Sequence, residues 1–379
     1  MPPTPGPRRE VAGWLTRRLS EAGPLWRAIA CCGLALGACE KSPAAPATSA
    51  GFDPAAASAA LAVVTGVAGT TAMQSLTALS PLLKVAAAPP LATPPAPAIA
   101  CAPAVPRSAA RPPSPTAAGP LAPLATGLIA DSLFRHVFVY DTATRAYVVS
   151  ADTTGPAGGI RFLLYGVNSY SLPASPLAID GWLDLTDQST GSAFQLRSQI
   201  SNGTSGIADY VVGLSGTQAA DTALLSGTVT DGTHTLSFTD STGGAPVSGS
   251  VGVQVAVSVH LSDSLAGFSV DMRASRVSFD PFDFNDDIDL TLTDAPQTLR
   301  MTGAIRTYCL VPSIGLQVSV NGTPYATISN GTTTPNVTLV GGQSAPADVS
   351  QALLGMMAAQ QQLFQWLGAL FAPAKALLP

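Results

Sequence analysis

A stretch of alternating residues near the middle of the chain constrains the fold more than any other feature. Between positions 247 and 261 the odd-numbered positions are apolar apart from Gly249, and mostly small or polar residues separate them. The apolar set is Val247, Val251, Val253, Val255, Val257, Val259 and Leu261. Successive side chains of a strand point to opposite faces, whereas a helix repeats every 3.6 residues. The pattern therefore predicts a long strand with one buried face.

Similar strand-like runs, separated by turn signals, occupy residues 128–345. Four dipeptides of the Asn-Gly or Asp-Gly type favour tight hairpins because they adopt positive φ angles readily. They are Asn202-Gly203, Asp231-Gly232, Asn321-Gly322 and Asn330-Gly331. Residues 141–144 form a further turn-rich segment. We predict a mainly β fold, a large antiparallel meander of roughly twelve to fifteen strands that curls into a barrel, a half-barrel or a sandwich.

One of these runs, residues 268–279, changes the parity of its apolar positions. Phe268, Val270 and Met272 are even-numbered, whereas Val277 and Phe279 are odd-numbered. An extra residue in one strand shifts the following side chains to the other face. The pattern predicts a β-bulge near residues 274–276.

Charge is sparse throughout the 379 residues. Charged residues make up 11% of the chain, and the formal net charge is −5. Ser, Thr, Asn, Gln and Gly must therefore supply most of the surface polarity. No run of basic residues and no basic-aromatic pattern occurs, so the composition argues against nucleic-acid binding.

The N-terminal segment carries the most specific motif. Five arginines precede an apolar run of eleven residues, which suits a secretory signal and is too short to span a bilayer. Leu36-Gly37-Ala38-Cys39 follows. This order resembles the lipobox leader of bacterial lipoproteins. The resemblance implies a signal peptide at residues 1–38, lipid on Cys39, and a membrane-anchored chain in the bacterial cell envelope that faces the periplasm or the cell surface. The alternative is an ordinary secretory signal with Cys39 unmodified.

Residues 39–127 are rich in Ala, Pro, Ser and Thr. Twelve prolines lie between positions 87 and 123, which favours an extended polyproline conformation over a packed core. Asp53 followed by Pro54 is typical of a helix start, so a short helix is predicted at residues 53–64. We interpret residues 39–127 as a lipid-anchored tether that contains this helix.

Two cysteines remain once the leader is removed and Cys39 is acylated. Cys101 and Cys309 form an even pair, and the predicted compartment permits oxidation. A disulfide would join the tether to a strand. The alternative is an unpaired Cys101 in the Pro-rich stretch and a buried Cys309.

The C-terminal residues 346–379 have a helical composition. Neither proline nor a further charge occurs between Asp348 and Phe371, and Pro373 is expected to end the helix. At 100° per residue one face is apolar, and the opposite face carries four glutamines. These are Gln351, Gln361, Gln362 and Gln365. We predict an amphipathic helix packed on the sheet, because glutamine is costly in hydrocarbon and weakens the alternative of a membrane span.

The densest acidic cluster resembles an EF-hand calcium loop in its spacing. Oxygen-bearing residues recur at alternate positions, followed by a further acid. They are Asp283, Asn285, Asp287, Asp289 and Asp294. Ile288 stands where the loop requires glycine, and no flanking helix is evident. Calcium is thus a candidate cofactor, and the alternative is the solvent face of a strand. No other cofactor is predicted.

The sequence contains no recognisable catalytic motif. His136, His234 and His260 lie within strand-like runs, and no nucleophile elbow leads into a helix. The plan of leader, antiparallel sheet and helix is similar to that of half-barrel lipoprotein carriers of the bacterial envelope, although no motif is shared. We predict a non-catalytic binding or structural role. The alternatives are a carrier of lipid or another apolar ligand and, third, a hydrolase.

Overall fold

The structure is a computed structural model that describes residues 51–79, 82, 128–168, 172–190, 194–217, 220–246, 253–278, 284–308, 311–331 and 334–377. Its helices are α1 (Pro54–Ala68), α2 (Thr71–Leu79) and α3 (Ala347–Leu377), with a 3₁₀ turn at Asp131–Leu133. The strands are β1 (Val137–Asp141), β2 (Ala146–Val149), β3 (Gly159–Tyr165), β4 (Ile179–Asp187), β5 (Phe194–Ser201), β6 (Gly206–Thr217), β7 (Ala220–Thr230), β8 (Thr235–Pro246), β9 (Val253–Asp263), β10 (Phe268–Ser278), β11 (Phe284–Asp294), β12 (Gln297–Tyr308), β13 (Val311–Val320), β14 (Thr323–Ser329) and β15 (Asn336–Leu339).

These strands form a single open sheet. The spatial order is β2, β1, β3 and then β4 to β15 in chain order. Neighbours pair antiparallel except β1 and β3, which pair in parallel through two residues. The predicted antiparallel meander is confirmed, and so is the hairpin at residues 141–146, where Asp141 pairs with Ala146. The described strands make one open layer with helices on one face, so the closed barrel among the three predicted alternatives does not apply.

Alternation in β9 divides the sheet into an inner face, which the helices cover, and an outer face. Val259 and Leu261 are buried on the inner face, whereas His260 between them is exposed. The described strand begins at Val253, so residues 247–252 of the alternating stretch lie outside the described residues. The period-two pattern thus marks the buried face.

The predicted bulge in β10 is wrong. β10 pairs with β9 and with β11 in continuous register from Phe268 to Ser278. Arg276 occupies the inner face there, and its Nε atom lies 2.6 Å from Oδ1 of Asp286 on β11. The ion-paired Arg276 therefore occupies a position where the earlier part of β10 has an apolar residue. Even-numbered residues of β10 face inward along the whole strand, so Val277 lies on the outer face.

Helices α1 and α2 pack against the inner face and α3. Asp53 caps α1 by accepting hydrogen bonds from the backbone N–H groups of Ala55 and Ala56, which would otherwise lack partners. Ala57 and Leu76 are fully buried in the core. The prediction of a tether over residues 39–127 is therefore wrong for residues 54–79, because their small apolar side chains fit between α3 and the sheet. The Pro-rich residues 87–123 lie outside the described residues.

Helix α3 is longer and more buried than predicted. It continues through Pro373 to Leu377, so the proline does not end the helix; it only lacks the N–H that would bond to Ala369. Gln361, predicted on the polar face, is buried, as is Gln360. Helix α1 packs against α3, and Gln360 lines a small cavity together with Leu61 and Val64 of α1.

Among the described residues no single helix is both long and apolar enough to cross a bilayer. Helices α1 and α2 satisfy the criterion only when taken together, as a pair bent by 57°.

Candidate functional site

The three cysteines with predicted roles lie outside the described residues. Cys39, the predicted lipidation site, and the predicted pair Cys101 and Cys309 therefore stay predictions. The same holds for Asp283 of the acidic cluster.

The rest of the acidic cluster lies on strand β11. Asn285, Asp287 and Asp289 follow one another along the outer face of the extended strand. Asp289 accepts two hydrogen bonds of 2.8 Å from Arg300, and Asn285 accepts one of 3.2 Å from Arg306. Asp294 pairs with Gln297 at the β11–β12 turn. Within the described residues no group of three or more His, Cys, Asp or Glu side chains is arranged to hold a metal ion. Calcium binding stays a prediction.

Two of the histidines contact aspartates. Nδ1 of His234 lies 2.9 Å from Oδ2 of Asp263, and Nδ1 of His260 lies 2.7 Å from Oδ1 of Asp271. Asp263 also accepts hydrogen bonds from the backbone of the β9–β10 turn, at Leu265 and Ala266. The first pair therefore links the β7–β8 turn to the β9–β10 turn, and the second joins neighbouring strands on the exposed face.

An aspartate that the sequence analysis did not single out lies on the inner face. Asp240 of β8 is 4% exposed, and its cross-strand neighbours are Leu225 and Val259. Its Oδ2 accepts a hydrogen bond of 3.2 Å from Thr242, whereas Oδ1 has no partner among the described residues. Burial raises the pKa of Asp240 to about 7. The hydrogen bonds from Thr242 and from the backbone of Ser241 lower this pKa and offset part of the rise. Asp240 occupies an even-numbered position, as do the buried residues Leu236 and Phe238 of the same strand. This alternation is the sequence signal that could have placed Asp240 on the inner face.

The contact between α3 and the inner face includes several polar groups. The hydroxyl of Tyr210 donates to the carbonyl of Leu370 at 3.1 Å, and Trp366 contacts Phe238 edge to face at 5.2 Å. Nε1 of Trp366 and Oε1 of Gln360 are buried, with no partner among the described residues. The cavity beneath the helix is about 10 Å³, which is at the lower limit for one water molecule. The helices therefore pack closely against this part of the inner face.

An open groove on the outer face is a candidate binding site. It spans β4 to β7 and has a volume of about 390 Å³. We call it the outer groove and define it by Trp182, Asp184, Gln199, Ile207, Asp209 and Thr228. Four of these residues form a row across consecutive strands, because each pairs directly with the next. Their order is Asp184, Gln199, Asp209 and Thr228. At about 4.8 Å per strand the row is about 14 Å long.

A β-bulge shapes the floor of the outer groove. The β5–β6 register shifts between Ile200 and Ser201, because Ile200 pairs with Ala208 and Ser201 with Gly206. Ile207 is the extra residue and is buried. Since a bulge bends its strand and increases the local twist, it explains a depression in an otherwise regular sheet surface.

Two arginine–aspartate pairs fix the polar side chains of the outer groove. Nε and Nη2 of Arg161 donate to both oxygens of Asp184 at 2.7 and 2.8 Å, and Arg197 does the same to Asp209 at 2.9 and 2.6 Å. Hydrogen bonds from Arg197 lower the pKa of Asp209, so this carboxylate is ionised at neutral pH. The guanidinium of Arg161 also lies 4.8 Å from the ring centroid of Trp182.

No signal in the sequence would have identified the outer groove. Its side chains come from four strands and share no motif. Their assembly depends on register and on the bulge at Ile207, which a single sequence does not reveal.

Comparison with known proteins found no matching family model and no significant match among curated proteins or solved structures. Function is therefore inferred from the residues and their geometry alone.

Proposed function

We propose that the chain is a lipid-anchored protein of the bacterial cell envelope, whose β-domain has a non-catalytic binding or structural role. The lipobox-like Leu36-Gly37-Ala38-Cys39 supports the anchor. Because α1 and α2 pack in the core, residues 40–53 are the segment that would separate Cys39 from the folded body, and the Pro-rich residues 87–123 instead connect α2 to the strands.

The observation that carries the binding role is the packing of the inner face. Three helices cover it, and the cavity between α1, α3 and strands β9 to β11 has a volume of about 10 Å³. A partner in solution therefore meets the outer face, which carries Ser, Thr, Gln and paired charges. Short antiparallel connections make this face rigid, as a display surface requires.

A carrier of lipid or another apolar ligand is the second candidate. Oδ1 of Asp240 on the inner face and Oε1 of Gln360 on α3 are buried without partners among the described residues. Unpaired buried polar atoms are costly, so they weaken the attachment of α3 and favour a carrier whose helix is displaced by ligand. Native mass spectrometry of the protein purified from the envelope distinguishes the two, since a carrier retains an apolar ligand in addition to its covalent lipid.

Replacing Cys39 by Ala tests the anchor. We expect Cys39→Ala to move the protein from the membrane fraction to the soluble fraction, because the sulfur that receives the lipid is lost. Detergent phase separation of cell extracts measures the shift, and Cys101→Ala is the matched control that should remain in the detergent phase. If Cys39→Ala partitions like the parent chain, the lipid anchor is refuted.

A further inference from the structure

The outer groove combines an aromatic ring with fixed hydrogen-bonding groups. Trp182 is partly exposed, and Arg161 stacks over one side of its ring at 4.8 Å. Arg161 is itself held by two hydrogen bonds to Asp184. The indole is therefore oriented before any ligand arrives, which lowers the entropic cost of binding. The indole itself lines the outer groove.

The electrostatics of the outer groove favour an uncharged ligand. Each carboxylate is paired with a guanidinium, Asp184 with Arg161 and Asp209 with Arg197, so the four charges cancel. An ionic ligand would gain no net Coulomb attraction and would lose hydration. Ligand specificity must therefore come from hydrogen bonds.

Hydrogen-bonding groups line the row beside Trp182. Nε2 of Gln199 donates to Asp209 at 3.2 Å, which leaves its Oε1 as an acceptor without a partner among the described residues. Asp209 is 43% exposed, and a carboxylate retains lone pairs after binding Arg197. Thr228 adds a hydroxyl that both donates and accepts. The groove thus offers several acceptors and a donor along about 14 Å.

We propose that the outer groove binds a neutral saccharide. A sugar ring presents C–H groups on one face, suited to the indole of Trp182, and hydroxyls around its edge, suited to Gln199 and Asp209. A volume of about 390 Å³ lies within the range of small-molecule sites. This inference rests on the proposed binding role of the β-domain.

Saturation-transfer difference NMR on the full chain tests the proposal, with cellobiose, maltose and lactose as neutral probes and glucuronate as a charged one. We expect at least one neutral disaccharide to bind with a Kd at or below about 10 mM, and glucuronate to bind more weakly. Trp182→Ala should weaken binding at least about tenfold, and Trp182→Phe should restore part of it. Gln199→Ala should weaken binding about threefold without removing the aromatic surface.

Arg300→Ala is the matched control, because Arg300 forms a similar pair with Asp289 on the same face outside the groove. It should leave saccharide binding unchanged. The proposal is overturned if no neutral disaccharide binds, if glucuronate binds best, or if Gln199→Ala and Trp182→Phe bind like the parent. Cell fractionation of Cys39→Ala is independent of these results, so failure of the anchor and failure of the groove are separate outcomes.

Discussion

Replacing Asp240 by Asn should stabilise the protein at pH 8 and have little effect at pH 4. Asp240 is buried between Leu225 and Val259, and burial raises its pKa from 3.8 to about 7. The folded state therefore prefers the neutral acid, while the unfolded chain ionises near pH 4. Asparagine keeps the shape and a hydrogen-bond acceptor for Thr242 but carries no charge to desolvate.

The sign of the pH dependence follows from the raised pKa. Between pH 4 and pH 7 the unfolded state binds fewer protons than the folded state, so the contribution of Asp240 to stability falls as pH rises. Above pH 7 both states are ionised and the contribution is constant. Three pKa units correspond to at most about 4 kcal/mol. We expect the stability difference between Asp240→Asn and the parent to grow across this window and then level off.

Urea unfolding of both chains at pH 4, 6 and 8 measures this difference. Asp289→Asn is the control, and it should destabilise the protein at neutral pH instead of stabilising it. Hydrogen bonds from Arg300 lower the pKa of Asp289, so the folded state favours its ionised form. Since that pair is exposed, its loss should lower the stability only slightly at neutral pH. A difference for Asp240→Asn that is the same at every pH would show that Asp240 is not a buried, raised-pKa acid.

The sequence predicted the sheet because its signals are local. Alternation in β9 and the dipeptide Asn321-Gly322 act within a few residues, and Asn321 and Gly322 have φ angles of 50° and 78°, as a tight hairpin requires. The N-cap at Asp53 is equally local. Signals of this kind do not depend on which distant residues eventually pack together.

The errors concern residues whose environment is set by distant partners. Helices α1 and α2 resembled part of a tether because their Ala-rich faces are only weakly apolar, and their burial depends on α3, almost 300 residues later. The charged Arg276 at an inner position made the apolar pattern of β10 look interrupted. Its ion-pair partner, Asp286, lies on another strand, so the pairing is not visible in the sequence of β10. The outer groove was missed for the same reason, since it exists only where four strands meet.

Replacing Leu363 and Leu367 together by Asp should unfold the domain. Both side chains are 3% exposed in the contact of α3 with the core. Each loses about 1.5 to 3 kcal/mol of apolar burial, and each new carboxylate must also be either desolvated as the anion or protonated in the core. A domain of ordinary stability, about 5 to 15 kcal/mol, has little left after such a loss.

Gln362 and Gln365 provide the matched control, since both are exposed on the same helix. Gln362→Asp with Gln365→Asp adds the same two charges at nearby positions and should change the melting temperature only slightly. Thermal unfolding followed by circular dichroism compares the two double variants with the parent. A parental melting temperature for the Leu363→Asp, Leu367→Asp chain would mean that α3 does not pack on the sheet, and the inner face would then be open to an apolar ligand.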